Sequence, residues 1–204
     1  MIVSASERDT RQIIVDTAER FFRDIGYQKT TVADIAKSLR MSPANVYRFF
    51  DSKKAINEAV LDRYKREQEE VVAAIADQPR PASERLREIL LVTARLNAAR
   101  YGDHQRMQEM VCAAMEESWD AIRAHVERFD SVLRRVIGDG IEQGEFRPVD
   151  VQEATGCIRT AMIRYMHPLL ITQCERIPGP SAEELADFVL EALRLVPAGA
   201  EPAR

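Results

Sequence analysis

The residues best equipped for chemistry in this 204-residue chain lie between positions 44 and 54. Asn45 can pair with an adenine edge, Arg48 can form two hydrogen bonds to guanine, and the methyl of Ala44 suits thymine. The Tyr47 hydroxyl suits a phosphate oxygen. Lys53 and Lys54 follow directly. At the start of a helix their ammonium groups would join unpaired backbone N–H groups in a phosphate clamp. Together these residue types describe recognition of a nucleic-acid duplex, provided that one helix presents the first four on a single face.

The surrounding sequence, KTTVADIAKSLRMSPANVYRFFDSKK, supplies the elements that would do this. Thr31 is a helix N-cap, with Asp34 three positions on near the positive end of the helix. That helix runs from about Val32 to Leu39, with Ile35, Ala36 and Leu39 on its inner face. Ala36 is small enough for a steep crossing. Arg40 and Met41 make a turn, Ser42 caps the next helix, and Pro43 suits its first position. Val46, Phe49 and Phe50 anchor it, which leaves Ala44, Asn45, Tyr47 and Arg48 outward. Ser52 then caps a third helix. A steep helix pair carrying a polar-faced second helix is how a helix-turn-helix protein enters the major groove. Ahead of it, Ile13, Ile14, Ala18, Phe21, Phe22 and Ile25 recur at helical spacing, and Gly26 ends their helix. Arg8 and Arg11 suit either a phosphate or minor-groove contact or a solvated terminus.

The segment RQIIVDTAERFFRDIGYQKTTVADIAKSLRMSPANVYRFFDSKKAINEAV resembles the DNA-binding domain of the tetracycline-repressor (TetR) family of bacterial transcription regulators. The resemblance implies an all-α homodimer of about nine helices. A three-helix DNA-binding head would occupy residues 1–52, and a larger helical bundle at 53–204 would bind a ligand and dimerise. It also implies that Thr31, Ser42, Ala44, Asn45, Tyr47, Arg48 and Lys53 face DNA, with Lys54 beside them. Where the family often carries glycine this chain has Arg40. A left-handed conformation there would cost on the order of 1 kcal/mol.

Charge is distributed in keeping with this reading. Residues 1–66 hold 13 Lys/Arg against 9 Asp/Glu, a net +4, whereas residues 67–204 hold 16 against 24, a net −8. A basic end and an acidic end both attract and orient a protein on DNA. The three cysteines, Cys112, Cys157 and Cys174, have neither zinc nor dithiol spacing and read as reduced thiols. No run is apolar enough for a bilayer and no secretion signal opens the chain, so a cytoplasmic protein without a membrane partner is expected.

Beyond Ser52 the pattern stays helical, with breaks at Asp77–Pro81, Gly102–Asp103, Gly144–Pro148 and Pro178–Ser181. A long helix to about Ala76 would join head to body. Another runs from Ala82 to about Ala99, one from Trp119 to about Gly144, and one unbroken from Asp150 to about Leu170. Ser181 with Glu184 forms a capping box for the last. Ile158, Met162 and Tyr165, with Leu185, Phe188, Val189 and Ala192, form two apolar stripes that suit a four-helix seam across a two-fold axis. Tyr101, Met107, Met110, Met115, Trp119, His125 and Phe129 suit an adaptable pocket for a small-molecule effector not yet identified, and equally an ordinary core.

No catalytic motif, phosphate-cradling loop, metal-spaced ligand set or cofactor signature appears, and the three histidines are isolated. The sequence therefore predicts no enzyme, no metal and no cofactor. It predicts a regulator of double-stranded operator DNA, a repressor released by its effector; the alternative is a DNA-binding regulator controlled by a protein partner or by nothing.

Overall fold

The computed structural model describes residues 5–101, 106, 108, 110–113, 119–174 and 177–195. Among them are ten named helices: α1 (Ala5–Asp24), α2 (Val32–Ser38), α3 (Pro43–Tyr47), α4 (Lys53–Ala76), α5 (Ala82–Tyr101), α6 (Trp119–Glu142), α7 (Val151–Ala161), α8 (Ile163–Met166), α9 (Pro168–Gln173) and α10 (Ala182–Leu193). Residues 110–113 are helical as well. Among the described residues there is no strand, only one isolated bridge between Phe146 and Arg194. The all-α expectation holds.

One element differs from expectation. The helix read as unbroken from Asp150 to Leu170 is three pieces, interrupted at Met162 and His167. Pro168 is the cause of the second break. Its ring disfavours the helical conformation at the residue before it, and His167 is extended at φ −89°, ψ 120°.

The chain forms two compact units. The first joins 1–67 with 103–122, and the second joins 68–102 with 123–204. The first therefore takes in the opening turns of α4, beyond the boundary expected at residue 52. Its core is made by Ile14, Ala18, Phe22, Ile35, Ala36, Val46 and Ile56, all fully buried. Phe22 and Tyr27 pack edge to face at 5.2 Å between centroids. Gly26, at φ 106°, turns the chain between them.

The core of the second unit gathers Leu86, Ile89 and Leu90 of α5, Leu133, Val136 and Ile137 of α6, Ile158 of α7 and Val189 and Leu193 of α10. At Gly140 a Cβ would lie 2.2 Å from the buried Phe146 ring, so only glycine admits that ring. The Glu145 carboxylate caps α5 from the following turn. It accepts the N–H groups of Ala82 (2.7 Å) and Ser83 (3.0 Å) and the Ser83 hydroxyl (2.6 Å). Burial alone would raise its pKa, but these bonds and the charge of Arg85 outweigh burial and hold it below the ordinary 4.5. A depressed carboxylate stabilises the fold above its unfolded pKa and loses that contribution as pH falls through the folded value. Glu145→Ala should thus cost about 1–2 kcal/mol at pH 7, the scale of a lost N-cap. The gap between variant and wild type should shrink as urea melts are repeated toward pH 3.

Candidate nucleic-acid interface

The helix pair forms as its sequence dictates. Thr31 Oγ1 accepts the Asp34 N–H at 3.1 Å, while Asp34 accepts the Thr31 N–H at 3.0 Å, closing the box that starts α2. The Thr31 hydroxyl donates to Asp34 at 2.6 Å. These bonds, the hydroxyl first, lower the pKa of Asp34. Ser42 Oγ accepts the Asn45 N–H at 3.2 Å and so starts α3. Its own O–H is left for another acceptor. Arg40 lies between the two helices at φ 55°, the left-handed conformation expected of that turn.

Val46 is fully buried and Phe50 nearly so, while Phe49 is half-buried. These anchors fix the rotation of α3. Ser42, Ala44, Tyr47 and Arg48 are exposed, and Asn45 is half-buried among them. Tyr47 keeps 49% of its surface in solvent, an unusual exposure for a large aromatic ring. Arg48 Nη1 donates to Asn45 Oδ1 at a long 3.4 Å, so the two side chains expected to read bases lie side by side, loosely coupled. A surface of amide, guanidinium, phenol and methyl groups on one short helix can meet base edges and phosphates together.

Two basic residues make contacts within the head that the sequence reading did not include. Lys53 was expected on a phosphate. In the free protein its ammonium donates to the carbonyls of Tyr27 (2.8 Å), Thr30 (3.0 Å) and, at the limit, Gln28 (3.5 Å). It also lies 4.4 Å above the Tyr27 ring. Burial lowers its pKa. Arg11 is exposed and makes contacts within the head. It donates to the Phe49 carbonyl at 2.7 Å and stacks 4.0 Å over Phe50, tying α1 to the end of α3. No local sequence signal could find either contact, because the partners lie 23 to 38 residues away. Lys53→Met should therefore lower stability by about 1–2 kcal/mol through the stranded carbonyls and leave the salt slope of DNA binding unchanged. Lys54→Ala should reduce that slope by about one. Thermal melts and salt titrations of both variants separate the two roles.

The expected pocket residues are described only in part. Met107 and Met115 lie outside the described residues, as does the Trp119 side chain. Met110 is fully buried in the first unit, where its carbonyl accepts Asn57 Nδ2 at 3.0 Å. Tyr101 and Phe129 are buried in the second. His125 Nδ1 lies 2.6 Å from Glu69, which also pairs with Arg128 at 2.9 Å, so the histidine joins α6 to α4.

Of the expected seam residues, Ile158, Met162 and Val189 are buried within the single chain, and Tyr165 and Leu185 are half-buried against the same core. Phe188 is 69% exposed. Ala192 is exposed beside it, and both border a groove of about 430 Å³ also lined by Ala154, Cys157, Ile158 and Ala161. Among the described residues there is no group of His, Cys, Asp or Glu side chains fit to hold a metal, and no helix is long and apolar enough to cross a membrane.

Comparison with known proteins agrees with this geometry. Residues 14–60 match the model of bacterial regulatory proteins of the tetR family, and residues 82–185 match a tetracyclin repressor-like C-terminal domain. The chain is 49% identical over 45 residues to the biofilm operon icaADBC HTH-type negative transcriptional regulator IcaR of Staphylococcus aureus. That match spans 22% of this chain and only 24% of the relative. A TetR/AcrR-family regulator from Thermobifida fusca superposes with a TM-score of 0.65 at 25% identity, covering 90% of this chain and 95% of its own. PfmR, a TetR-family regulator from Thermus thermophilus, does so at 0.61 and 26%, covering 88% and 97%. A regulator from Cytophaga hutchinsonii reaches 0.70 at 17% identity over 91% and 99%, a likeness of fold.

Proposed function

From the premise that this chain belongs to the TetR family of DNA-binding transcriptional regulators, we propose that it is a cytoplasmic repressor, released from its operator by a small molecule. The observation that carries the reading is the outward set Ala44, Asn45, Tyr47 and Arg48 on a helix whose rotation is fixed by buried Val46 and Phe50. Asn45 and Arg48 read bases. Tyr47, Ser42 and Thr31 set the register on phosphates, with Lys54 at the start of α4. The negative regulation named for IcaR, whose 45 matched residues are half identical to this chain, supports repression.

The protein acts as a homodimer. Exposed Phe188 beside an apolar groove gives one face both a protrusion and a recess, as a self-complementary two-fold contact requires. Two copies present two reading helices to half-sites about 34–36 Å apart, or multiples of that distance. The effector acts through α4, which begins at Lys53 beside the reading helix and ends at Ala76 in the second unit. To reverse operator occupancy from 99% to 1%, the effector must favour the released state by about 5.5 kcal/mol.

The test is fluorescence anisotropy against a duplex selected from a random-sequence library, repeated across a salt series. Binding should weaken linearly in log–log form, with one unit of slope for roughly each phosphate engaged. A protein that attracts no duplex at low salt does not have this function.

A further inference from the structure

One face of α5 carries three buried polar side chains at four-residue spacing: Thr93, Asn97 and Tyr101, at 0%, 4% and 7% exposure. Residues so spaced lie one above another on a helix. Asn97 Nδ2 donates to the carbonyls of Tyr165 (3.4 Å) and Met166 (3.3 Å), which immediately precede the break at His167. The polar row of α5 thus faces the interrupted helix α8–α9.

Two atoms here have no partner. Thr93 Oγ1 is buried and makes no hydrogen bond. Other helical threonines in this unit return theirs to the backbone, Thr155 to Val151 and Thr160 to Gly156 at 2.8 Å and Thr172 to Leu169 at 3.4 Å. Thr93 forgoes that bond. His167 Nδ1 is likewise buried and unpartnered. Groups left so carry the full cost of desolvation, and functional sites are where such costs are retained.

The row holds neutral hydrogen-bonding groups. Burial pushes the Tyr101 hydroxyl up to about 12 and lowers His167, so both are uncharged at neutral pH. Among the described residues the nearby cations are engaged: Arg159 pairs with Asp130 at 3.2 Å, Arg164 donates to the carbonyls of Cys174 and Ile177, and Arg100, whose charge acts on Tyr101, is not free. The flanking side chains Leu90, Ala94 and Met162 are buried and apolar. A carboxylate or phosphate would find no uncommitted counter-charge among the described residues.

We propose that Thr93, Tyr101 and His167 form the polar end of the effector site, and that the effector meets them with an uncharged hydroxyl or carbonyl oxygen on an apolar body. This rests on the effector reading above.

The test uses 1-decanol, 2-decanone and decanoate as probes, titrated calorimetrically into the full-length protein and its Thr93→Val variant, with operator release followed in parallel. The two neutral probes should bind the wild type at least tenfold more tightly than decanoate. Thr93→Val, which removes only the hydroxyl, should weaken decanol about tenfold and melt no lower than wild type. Decanoate binding as tightly as decanol overturns the proposal, as does unchanged decanol affinity in the variant or binding by none of the three. If Thr93 instead serves the fold through a bridging water, the variant melts lower and keeps its decanol affinity, which also overturns it. Decanol bound as expected with the duplex retained leaves the site standing and removes the effector reading. Decanoate bound more tightly with the duplex released does the reverse.

Discussion

Arg48→Ala should cost about 1–3 kcal/mol of binding at each half-site, and so about 2–6 kcal/mol when two copies read one operator. The range follows from what the side chain does in the free protein. It is exposed, and its one side-chain hydrogen bond, to Asn45 Oδ1, is long at 3.4 Å. Little is broken before a base is engaged, so nearly all the contact energy appears in the complex. The loss should be uneven across sequences. Duplexes carrying guanine at the position read by Arg48 should fall furthest, and those already lacking it should hardly change, which flattens specificity. Tyr47→Ala should differ in kind, weakening every duplex to a similar extent with a shallower salt slope. A selection from a random library with each variant measures both patterns. If Arg48→Ala keeps the wild-type preference at every base pair, Arg48 does not read bases. If Tyr47→Ala changes preference at one base pair only, the two roles have been assigned the wrong way round. The fold should survive either change, since Val46 and Phe50, not the outward residues, hold α3 in place.

The geometry of the helix pair α2–α3 was legible because its determinants are local. Caps at Thr31 and Ser42, proline at 43 and anchors at 46 and 50 all act within one or two helical turns, and each appears where the spacing put it. The left-handed conformation of Arg40 was raised by the resemblance to a family that often has glycine there, and not by local spacing. What escaped were contacts whose partners are remote in sequence. Lys53 reaches back to the Tyr27–Thr30 turn, Arg11 reaches forward to Phe49, and His125 meets Glu69, 56 residues away. A charge pattern shows that a lysine is present, not whether it finds carbonyls or phosphates. The break at His167 had a visible cause in Pro168, but the apolar stripe continues through it and masks the interruption. The seam residues show the limit of periodicity. Ile158, Val189 and Phe188 share one pattern, yet the first two are buried within the chain and the third stands in solvent. A hydrophobic stripe gives the face of a helix, not the partner that covers it.

Arg85→Met should produce the largest loss of stability among the charged positions, about 3 kcal/mol. Arg85 is 5% exposed although its guanidinium carries five N–H donors. Its guanidinium gathers three elements of the second unit. Nη1 donates to the Ala76 carbonyl at the end of α4 (2.7 Å) and to Asp139 of α6 (2.9 Å), and Nε donates to the Arg80 carbonyl in the loop before α5 (3.1 Å). Methionine keeps the aliphatic stem and so the packing, but it strands two carbonyls and a carboxylate. Asp139 is partly solvated and can recover water, which places the loss at the low end of the range for a broken buried pair. For a chain of this size the melting temperature should fall by about 6–12 °C. The control is Arg87→Met, which breaks an ion pair of similar length with Asp187 (2.7 Å) on an exposed surface. Solvent screens that pair, and its loss should cost at most about 1 kcal/mol. Two arginines two residues apart on one helix thus differ severalfold in what they contribute. The difference comes from burial and from the number of acceptors gathered, not from charge. Equal melting temperatures for the two variants would mean that Arg85 is as well solvated as Arg87, and that the joint between α4, α5 and α6 is held by apolar packing alone.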